Sequence, residues 1–460
     1  MNDIALNFIS LLDINILYFI YIMILLLTIL KIKPKIYSFS FIFIFYTFLT
    51  YFCGSLIYEF YPELDRYHRY IDKNYIINYS TKAFFVFTIG FSTFFISYFI
   101  INKIKFLKLK IFFNKINDTN LNFITLVFLY LVFNFLSFWI RFNFNVGVPV
   151  GEPRNKIAEY SWYFFDYSAL ILLVKIIYLS VISDKIQTIL LGSALPHVYG
   201  ISTLFLGWRS GYIWITIILF HVFLIYFFRL KSISQIYLKV FSYIVVPFVV
   251  LPFFFLFAYV LRGEKSFESK INHFNLNTLS KSLNNSFSSD IFLKIYHRAI
   301  GIGTLNVTIA NSKSNKNNEV SFIKNVLTRN SLQPERYFGC NLIKDKLACP
   351  PIRTTYAPNA WSVFYIYNQI WGVIFGFFVL GIFVSTLDKF FGYYNDFKNS
   401  IPIYTIISGI LLPAIVFEGT VVFYIKRHVL SFFAASIFIY FLIYSLNYIS
   451  QNIKNDKYFS

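Results

Sequence analysis

Apolar runs of about 20 residues recur along almost the whole chain, and they constrain its fold more than any other feature. A helix needs about 20 mainly apolar residues to cross the hydrocarbon core of a bilayer. The runs are continuous rather than alternating, which disfavours a transmembrane β-barrel. With 57% hydrophobic and only 13% charged residues, the chain is predicted to be an all-α polytopic integral membrane protein. We predict about 11 transmembrane helices (10–12), at 6–30, 36–58, 83–101, 121–140, 162–182, 186–206, 212–228, 240–261, 360–387, 401–417 and 429–448.

Basic residues in the short connections predict the orientation of these helices. They cluster after the first, third and seventh predicted spans, within 31–35, 103–115 and 229–239. If the spans alternate in direction, these clusters share one side, which the positive-inside rule makes cytoplasmic. The N-terminus and the segment 262–359 are then expected outside. The first span carries Asp3 and Asp13 and has no basic n-region, so we expect an anchor rather than a cleaved signal peptide.

One long polar segment interrupts the apolar pattern and divides the chain into three regions. We predict a bundle of about eight helices at 1–261, a large outer loop at 262–359, and about three helices at 360–460. The loop holds 14 Lys and Arg against 6 Asp and Glu, an excess that suits an anionic ligand or lipid head groups. A nucleic-acid partner is disfavoured, because much of the net charge of +20 is positive-inside lysine. In an oxidising compartment Cys340 and Cys349 of this loop are expected to form a disulfide, with two free thiols as the alternative.

Two apolar stretches, one within the loop and one directly after it, are predicted to form helices. "SDIFLKIYHRAIGIGTLNVTIA" is apolar but interspersed with Lys294, His297 and Arg298, which argues against a span. We predict an amphipathic helix that lies on the membrane or packs over the bundle. Further on, "APNAWSVFYIYNQIWGVIFGFFVLGIF" begins the ninth span, and Gly372 and Gly376 form a GxxxG packing face there.

Arginines near predicted span ends are the leading candidates for a functional site. Arg209 lies in "GWRSG", a tight outer connection, and an arginine at the membrane edge is either functional or an interfacial anchor. Arg262 follows a span that Pro247 and Pro252 are expected to bend, where it is either functional or a charged stop. Arg298 can bind phosphate through two hydrogen bonds. The six histidines form no paired motif, so neither a metal site nor a cofactor is predicted.

The order of these features resembles the Wzy-type O-antigen and oligosaccharide repeat-unit polymerases. "LFLGWRSGYIWITIILF" is similar to their Gly-x-Arg-Ser segment at the start of a span. "HRAIGIGTLNVTIA", followed by "EVSFIKNVLTRNSLQPERYF", resembles their outer-loop region, in which an Arg-led helix precedes a Pro/Arg turn. The return into the membrane, an aromatic-rich helix leading into a Gly-rich one, is also similar. The fold then implied is that of lipid-dependent, GT-C-like membrane glycosyltransferases.

The resemblance implies a metal-independent glycosyltransferase of the bacterial inner membrane, with its large loop in the periplasm. A glycan on undecaprenyl pyrophosphate would be the donor, and a second lipid-linked repeat unit the acceptor. Membrane lipids and a chain-length regulator of the inner membrane would be its other partners. Cations are required where charge develops on the departing pyrophosphate, and a general base is required at the acceptor hydroxyl. The cation candidates are Arg209, Arg262 and Arg298, with Arg336 and Arg353 behind them, and the base candidates are Glu264, His297 and Glu418.

Three other functions stay open at the level of sequence. An O-antigen ligase shares this plan but transfers the glycan to the lipid A core. A flippase or other transporter is expected to carry ionisable residues inside several spans and internal repeats. We identify neither feature in the sequence. A structural or interaction protein is the third alternative.

Overall fold

The computed structural model describes 13–32, 38–61, 76–104, 122–144, 156–204, parts of 212–223, 235–251, 253–254, 301–311, 338–342, 359–392 and 430–456. These residues are almost entirely helical and include no strand. The helices are α1 (Ile14–Ile32), α2 (Phe39–Thr47), α3 (Gly54–Phe60), α4 (Ile76–Lys103), α5 (Phe123–Phe144), α6 (Lys156–Ile182), α7 (Ile186–Leu204), α8 (Ile236–Val240), α9 (Gly301–Asn311), α10 (Ala360–Gly392) and α11 (Leu430–Asp456). Single π-helical segments follow α2 at Phe48–Cys53 and α8 at Phe241–Val245, and a third occupies Phe338–Leu342.

Six stretches among the described residues are long and apolar enough to cross a membrane: Ile14–Lys31, Phe39–Phe60, Ser80–Lys103, Phe123–Phe144, Ile157–Ile182 and Ala360–Thr386. Each overlaps a predicted span, so the chain is an all-α protein of the membrane-embedded type. The predicted spans at 212–228 and 240–261 fall partly outside the described residues, and the one at 401–417 falls wholly outside them.

The chain forms two compact units that do not follow chain order. Unit 1 contains α1–α4, α9, the Phe338–Leu342 turn and α10, and unit 2 contains α5–α8 and α11. Residues that are distant in sequence therefore share a core. In particular, α9 belongs to the predicted outer loop, and it packs against α3, α4 and α10 within unit 1.

Unit 1 is held together by aromatic side chains along α4. Tyr18 and Tyr21 of α1 contact Phe84 and Phe87, and Phe43 of α2 stacks on Phe94 with 3.9 Å between ring centroids. These pairings make α1 parallel to α4, with α2 and α3 antiparallel to both. The C-terminal ends of α1 and α4, with Lys31 and Lys103, therefore lie at the same end of unit 1. The basic connections that follow α1 and α4 are thus at the same end of the unit, as predicted from the sequence. That this end faces the cytoplasm stays a prediction.

The same end carries a polar connection between three helices. Both carboxylate oxygens of Asp388, in α10, accept backbone N–H groups of α2, from Phe39 at 2.8 Å and Ser40 at 3.1 Å, and Tyr98 donates at 2.9 Å. An acidic group at a helix N-terminus is favoured by the free N–H groups there. Burial raises the pKa of the Asp388 carboxyl, although these three donors oppose the change. Lys389 donates to the carbonyls of Ile101 and Ile104 at the end of α4.

The helix α10 reverses direction inside the predicted ninth span. Asn368 (φ −158°, ψ 43°) and Gln369 (φ 47°, ψ −135°) are not helical. The ring centroids of Trp361 and Phe377 lie 4.1 Å apart, whereas 16 residues of continuous helix would separate them by about 24 Å. A short first arm, 360–367, thus packs antiparallel to a long second arm, 370–392. The span predicted at 360–387 thus contains a reversal, which fits the prediction of an aromatic-rich helix that leads into a Gly-rich one.

The predicted GxxxG face packs within this hairpin. A Cβ on Gly372 would lie 2.1 Å from the carbonyl oxygen of Phe364, and one on Gly376 would lie 2.5 Å from the Phe364 ring. Only glycine permits this approach of the two arms. The predicted packing role of these glycines is confirmed, but their partner is the preceding arm of the same segment.

The first arm of α10 and the helix α9 are inserted at mid-level of unit 1. The indole N–H of Trp361 donates to the carbonyl of Phe87, near the middle of α4, at 3.2 Å. Tyr51 stacks on Phe87 with 4.7 Å between centroids, and its ring also contacts Gly301 at the start of α9. Every residue of 302–309 is buried. Of the two alternatives for this stretch, the described part packs within the bundle, and Lys294, His297 and Arg298 lie outside the described residues.

Candidate functional site

A buried ion pair joins two membrane helices of unit 2. Arg141, near the end of α5, lies 3.5 Å from Asp166 of α6, and its side chain is only 2% exposed. Ser137 donates to the same carboxylate oxygen at 3.1 Å, and Tyr199 of α7 donates to the other oxygen at 3.1 Å. Three helices thus converge on one carboxylate. We call Ser137, Arg141, Trp162, Asp166 and Tyr199 the ionic cluster.

An aromatic ring completes the environment of the guanidinium. The centre of the Arg141 guanidinium lies 4.1 Å from the centroid of Trp162, a residue that is 1% exposed. A cation over an indole face is stabilised by the ring quadrupole, most strongly where water is excluded. With the carboxylate on one side and the indole on another, Arg141 is fixed in place. The arrangement holds a paired positive charge at a defined position among the helices of unit 2.

The cluster lies near one end of the α5–α6 pair. Arg141 is in the last turn of α5, and Asp166 lies ten residues into α6, which runs antiparallel to α5. Because α5 begins after the lysine-rich connection at 103–115, the orientation predicted from sequence assigns this end to the outer side. Glu159, two turns nearer the start of α6, is also buried.

A second polar contact links α7 to Tyr212. The hydroxyl of Tyr212 lies 2.6 Å from Nδ1 of His197, and its ring stacks on Phe254 with 3.8 Å between centroids. A Cβ on Gly200 would lie 2.4 Å from the Tyr212 ring, so glycine is what allows the ring to approach α7. Tyr212 follows Arg209 by three residues in the chain. Tyr212 is therefore close in sequence to Arg209, which lies outside the described residues.

The predicted site residues lie almost entirely outside the described residues. This applies to the cations Arg209, Arg262, Arg298, Arg336 and Arg353 and to the base candidates Glu264, His297 and Glu418. Their grouping therefore stays a prediction. Cys340 is held in a disulfide, Cys53 is a free thiol, and Cys349 lies outside the described residues.

Arg141, Asp166, His197 and Tyr212 were not among the candidates from sequence. The predicted fourth span ends at residue 140, which places Arg141 in the following loop, and Asp166 lies inside the predicted fifth span. An ionisable residue inside a predicted span was the available signal for Asp166. The structure thus shows ionisable residues inside α5 and α6, a feature that was not identified from the sequence.

Within the described part of the chain, no group of three His, Cys, Asp or Glu side chains is arranged to hold a metal ion.

Comparison of the chain with protein-family models, curated proteins and solved structures finds no match. The class that the described residues define is an all-α protein of the membrane-embedded type, with a buried ionic cluster in unit 2.

Proposed function

We propose that the chain is a membrane glycosyltransferase that polymerises lipid-linked oligosaccharide repeat units. A hydroxyl of the acceptor unit attacks the anomeric carbon of the donor glycan, the bond to the carrier breaks, and undecaprenyl pyrophosphate leaves. The acceptor proton passes to a general base, for which Glu264, His297 and Glu418 are the candidates. The resemblance of the arginine-bearing segments to Wzy-type polymerases gives this proposal its substrate class.

The structural observation that supports the proposal is the buried Arg141, which Asp166 and Trp162 hold in place. Departure of a pyrophosphate concentrates negative charge on its oxygens, and a fixed cation in a water-poor site stabilises that charge without reorganisation. Guanidinium groups also match phosphate oxygens geometrically. In this account Arg141 adds a cation to those proposed at Arg209, Arg262 and Arg298.

Substitution of the two leading arginines tests the proposal in cells. We expect Arg209→Ala and Arg262→Ala each to abolish chain extension, so that lipid A carries a single repeat unit, with unchanged abundance of the protein. Lys108→Ala, in a predicted cytoplasmic connection, is the control and should leave the glycan ladder intact. Long-chain glycan at normal levels in both arginine variants would contradict the site assignment.

Two observations favour transport of a glycan precursor as a second candidate function. The ion pair Arg141–Asp166 lies inside membrane helices, where ionisable residues mark transport pathways. The break at Asn368–Gln369 and the inserted α9 resemble the discontinuous helices that form transporter binding sites. A transporter would move lipid-linked glycan across proteoliposome membranes without lengthening it, and this outcome separates the two candidates.

A further inference from the structure

Three lysine side chains lie at one end of unit 1, each in the last turn of a helix. Lys31 ends α1 and Lys103 ends α4, and both side chains are exposed. Lys389, in the last turn of α10, donates to the carbonyls of Ile101 and Ile104. Its ammonium group therefore lies at the same end of α4 as Lys103. We call Lys31, Lys103 and Lys389 the basic end of unit 1.

The packing of α1 on α4 brings Lys31 and Lys103 to a similar level. The ring centroids of Tyr21 in α1 and Phe91 in α4 lie 5.0 Å apart. Lys31 follows Tyr21 by 10 residues and Lys103 follows Phe91 by 12, which corresponds to about 15 and 18 Å of helix. Nζ of Lys103 lies 4.8 Å from the ring centroid of Phe99, one turn back, so the ammonium group stays close to the end of α4. Because packed helices are about 8–10 Å apart, both lysines can reach one head group.

Little negative charge offsets these lysines. Among the described residues of unit 1, the acidic side chains are Asp13, Glu59 and Asp388. Asp13 precedes α1, and Glu59 accepts a hydrogen bond from Tyr18 near the start of α1, so both lie at the opposite end of the unit. Asp388 lies at the basic end, but the N-terminus of α2 and the hydroxyl of Tyr98 engage its carboxylate inside the unit. The described part of this end therefore carries a net positive charge.

Exposed aliphatic side chains lie beside the lysines on the same helices. Leu30 is 68% exposed, Ile100 48% and Ile104 47%. On helices that are long and apolar enough to cross a membrane, such side chains are suited to contact with lipid tails, which are as apolar as leucine. A phospholipid supplies a charged head group and acyl chains in one molecule. A small soluble anion would match the lysines alone.

We propose that the basic end of unit 1 is a binding site for an anionic phospholipid, with Lys31 and Lys103 on its phosphate and the exposed aliphatic side chains along its acyl chains. Lysine ammonium groups bind phosphate as point charges. Basic clusters next to transmembrane helices bind anionic head groups in this way. Lys389 keeps its bonds to α4 and adds positive charge beside the site. The inference does not rest on the proposed function, because it requires neither a glycan nor any residue assigned to the reaction.

Lysines in the last turn of a helix also stabilise that helix through its dipole, and this role can be separated from lipid binding. Loss of a dipole interaction lowers stability in every lipid, whereas loss of a lipid site lowers it only where anionic lipid is present. The variants are Lys31→Gln, Lys103→Gln and the double variant. The matched control is Lys185→Gln in unit 2, because Lys185 is an exposed lysine that follows Asp184 directly in the turn between α6 and α7. It loses the same charge without disturbing the basic end.

The test is a native mass spectrometry titration of the purified full-length protein with three probes. These are phosphatidylglycerol, phosphatidylcholine with the same acyl chains, and inorganic phosphate. We expect wild type to prefer phosphatidylglycerol, and we expect each of Lys31→Gln and Lys103→Gln to weaken that binding by about fivefold. Binding of phosphatidylcholine should not change, and Lys185→Gln should bind all probes like wild type.

Four results would overturn the site. They are equal affinity of wild type for the two lipids, unchanged phosphatidylglycerol binding in the double variant, an equal loss in Lys185→Gln, and inorganic phosphate bound as tightly as phosphatidylglycerol. Thermal unfolding in nanodiscs gives a second readout. The double variant should be less stable than wild type only in nanodiscs that contain phosphatidylglycerol. An equal loss in pure phosphatidylcholine would assign the lysines to the helix dipoles instead.

A polymerisation assay in the same nanodiscs keeps this inference apart from the proposed function. A glycan ladder from a protein without lipid preference would support polymerisation and overturn the lipid site. A phosphatidylglycerol preference that the double variant loses, in a protein that forms no ladder, would support the lipid site and contradict polymerisation.

Discussion

At the scale of single residues, Arg141 and Asp166 pair two charges among apolar helices. Removing either charge alone leaves the other buried without compensation, which is far more costly than losing a neutral hydrogen bond. Ser137 and Tyr199 donate one further hydrogen bond to each oxygen of the carboxylate. The pair is therefore stable only as a unit.

We predict that Asp166→Asn destabilises the protein by about 3–5 kcal/mol, because it strands the buried guanidinium of Arg141. Ser137→Ala, which removes one hydrogen bond, is the control and should cost about 1 kcal/mol. Thermal unfolding of purified variants in detergent measures both. If Asp166→Asn is at least as stable as Ser137→Ala, breaking the ion pair does not lower the free energy of unfolding by the predicted amount.

The double variant Arg141→Met/Asp166→Leu tests whether the pair has a role beyond structure. Replacing both partners by apolar side chains of similar size should restore stability close to that of wild type. We expect the double variant to fold and yet extend glycan poorly, since the cation is missing. Normal chain extension in this variant would show that Arg141 stabilises the protein but has no role in the reaction.

Gln369 is a second informative residue, because its φ of 47° is rarely adopted by residues other than glycine. Strained backbone of this kind costs about 1–3 kcal/mol. We predict that Gln369→Gly is more stable than Gln369→Ala by about 1 kcal/mol or more, since both remove the side chain and only glycine relieves the strain. Melting temperatures of the two variants decide this. A Gln369→Ala variant as stable as Gln369→Gly would contradict the reversal of α10.

Arg141, Asp166 and Gln369 differ in how far their roles could be predicted from the sequence. Arg141 follows the last apolar residue of the predicted span, so apolar run length alone assigns it to a loop. Asp166 lies inside a predicted span, where an ionisable residue is itself a signal of function. Gln369 carried no signal, since neither Gly nor Pro occurs at the reversal, and the strained conformation depends on the packing of Trp361 against Phe377. The arginines predicted from sequence lie outside the described residues, so the site as a whole stays a prediction.

At the scale of elements, the boundaries of the long helices follow from apolar run length. The spans predicted at 121–140, 162–182 and 186–206 correspond to Phe123–Phe144, Lys156–Ile182 and Ile186–Leu204. Their bounds depend on local composition, which a single sequence contains. The insertion of α9 depends instead on contacts with Tyr51 and Asn359, residues about 250 and 60 positions away, so only the tertiary structure reveals it.

The contact between α4 and the second arm of α10 depends on small residues. A Cβ on Gly381 would lie 2.0 Å from Oγ of Ser97 and 2.3 Å from the carbonyl oxygen of Phe94. Because one of these atoms is backbone, we predict that Gly381→Ala separates the helices and lowers stability by about 1–3 kcal/mol. Thermal unfolding of the purified variant measures the loss.

Gly301→Ala serves as the control for this substitution. Its nearest contact would be the Tyr51 ring at 3.1 Å, which can shift by a few tenths of an ångström. We expect a smaller loss of stability than for Gly381→Ala. The reverse order would mean that α4 and α10 do not meet at Gly381.

At the scale of the whole molecule, the two units have different buried polar groups. Unit 2 contains the ion pair Arg141–Asp166, and unit 1 contains the connection of Asp388 to Phe39, Ser40 and Tyr98. Composition alone predicted the all-α membrane class. The division into interleaved units could not be predicted, because helices adjacent in the chain belong to different cores.

The most direct test of polymerisation supplies the purified protein in lipid nanodiscs with undecaprenyl-pyrophosphate-linked repeat units as the sole substrate. Products are separated by length, and released undecaprenyl pyrophosphate is quantified. The account predicts a ladder of glycans, each one repeat unit longer than the last, with one carrier released per bond formed. Repeat units that stay unextended in the presence of folded wild-type protein would contradict it.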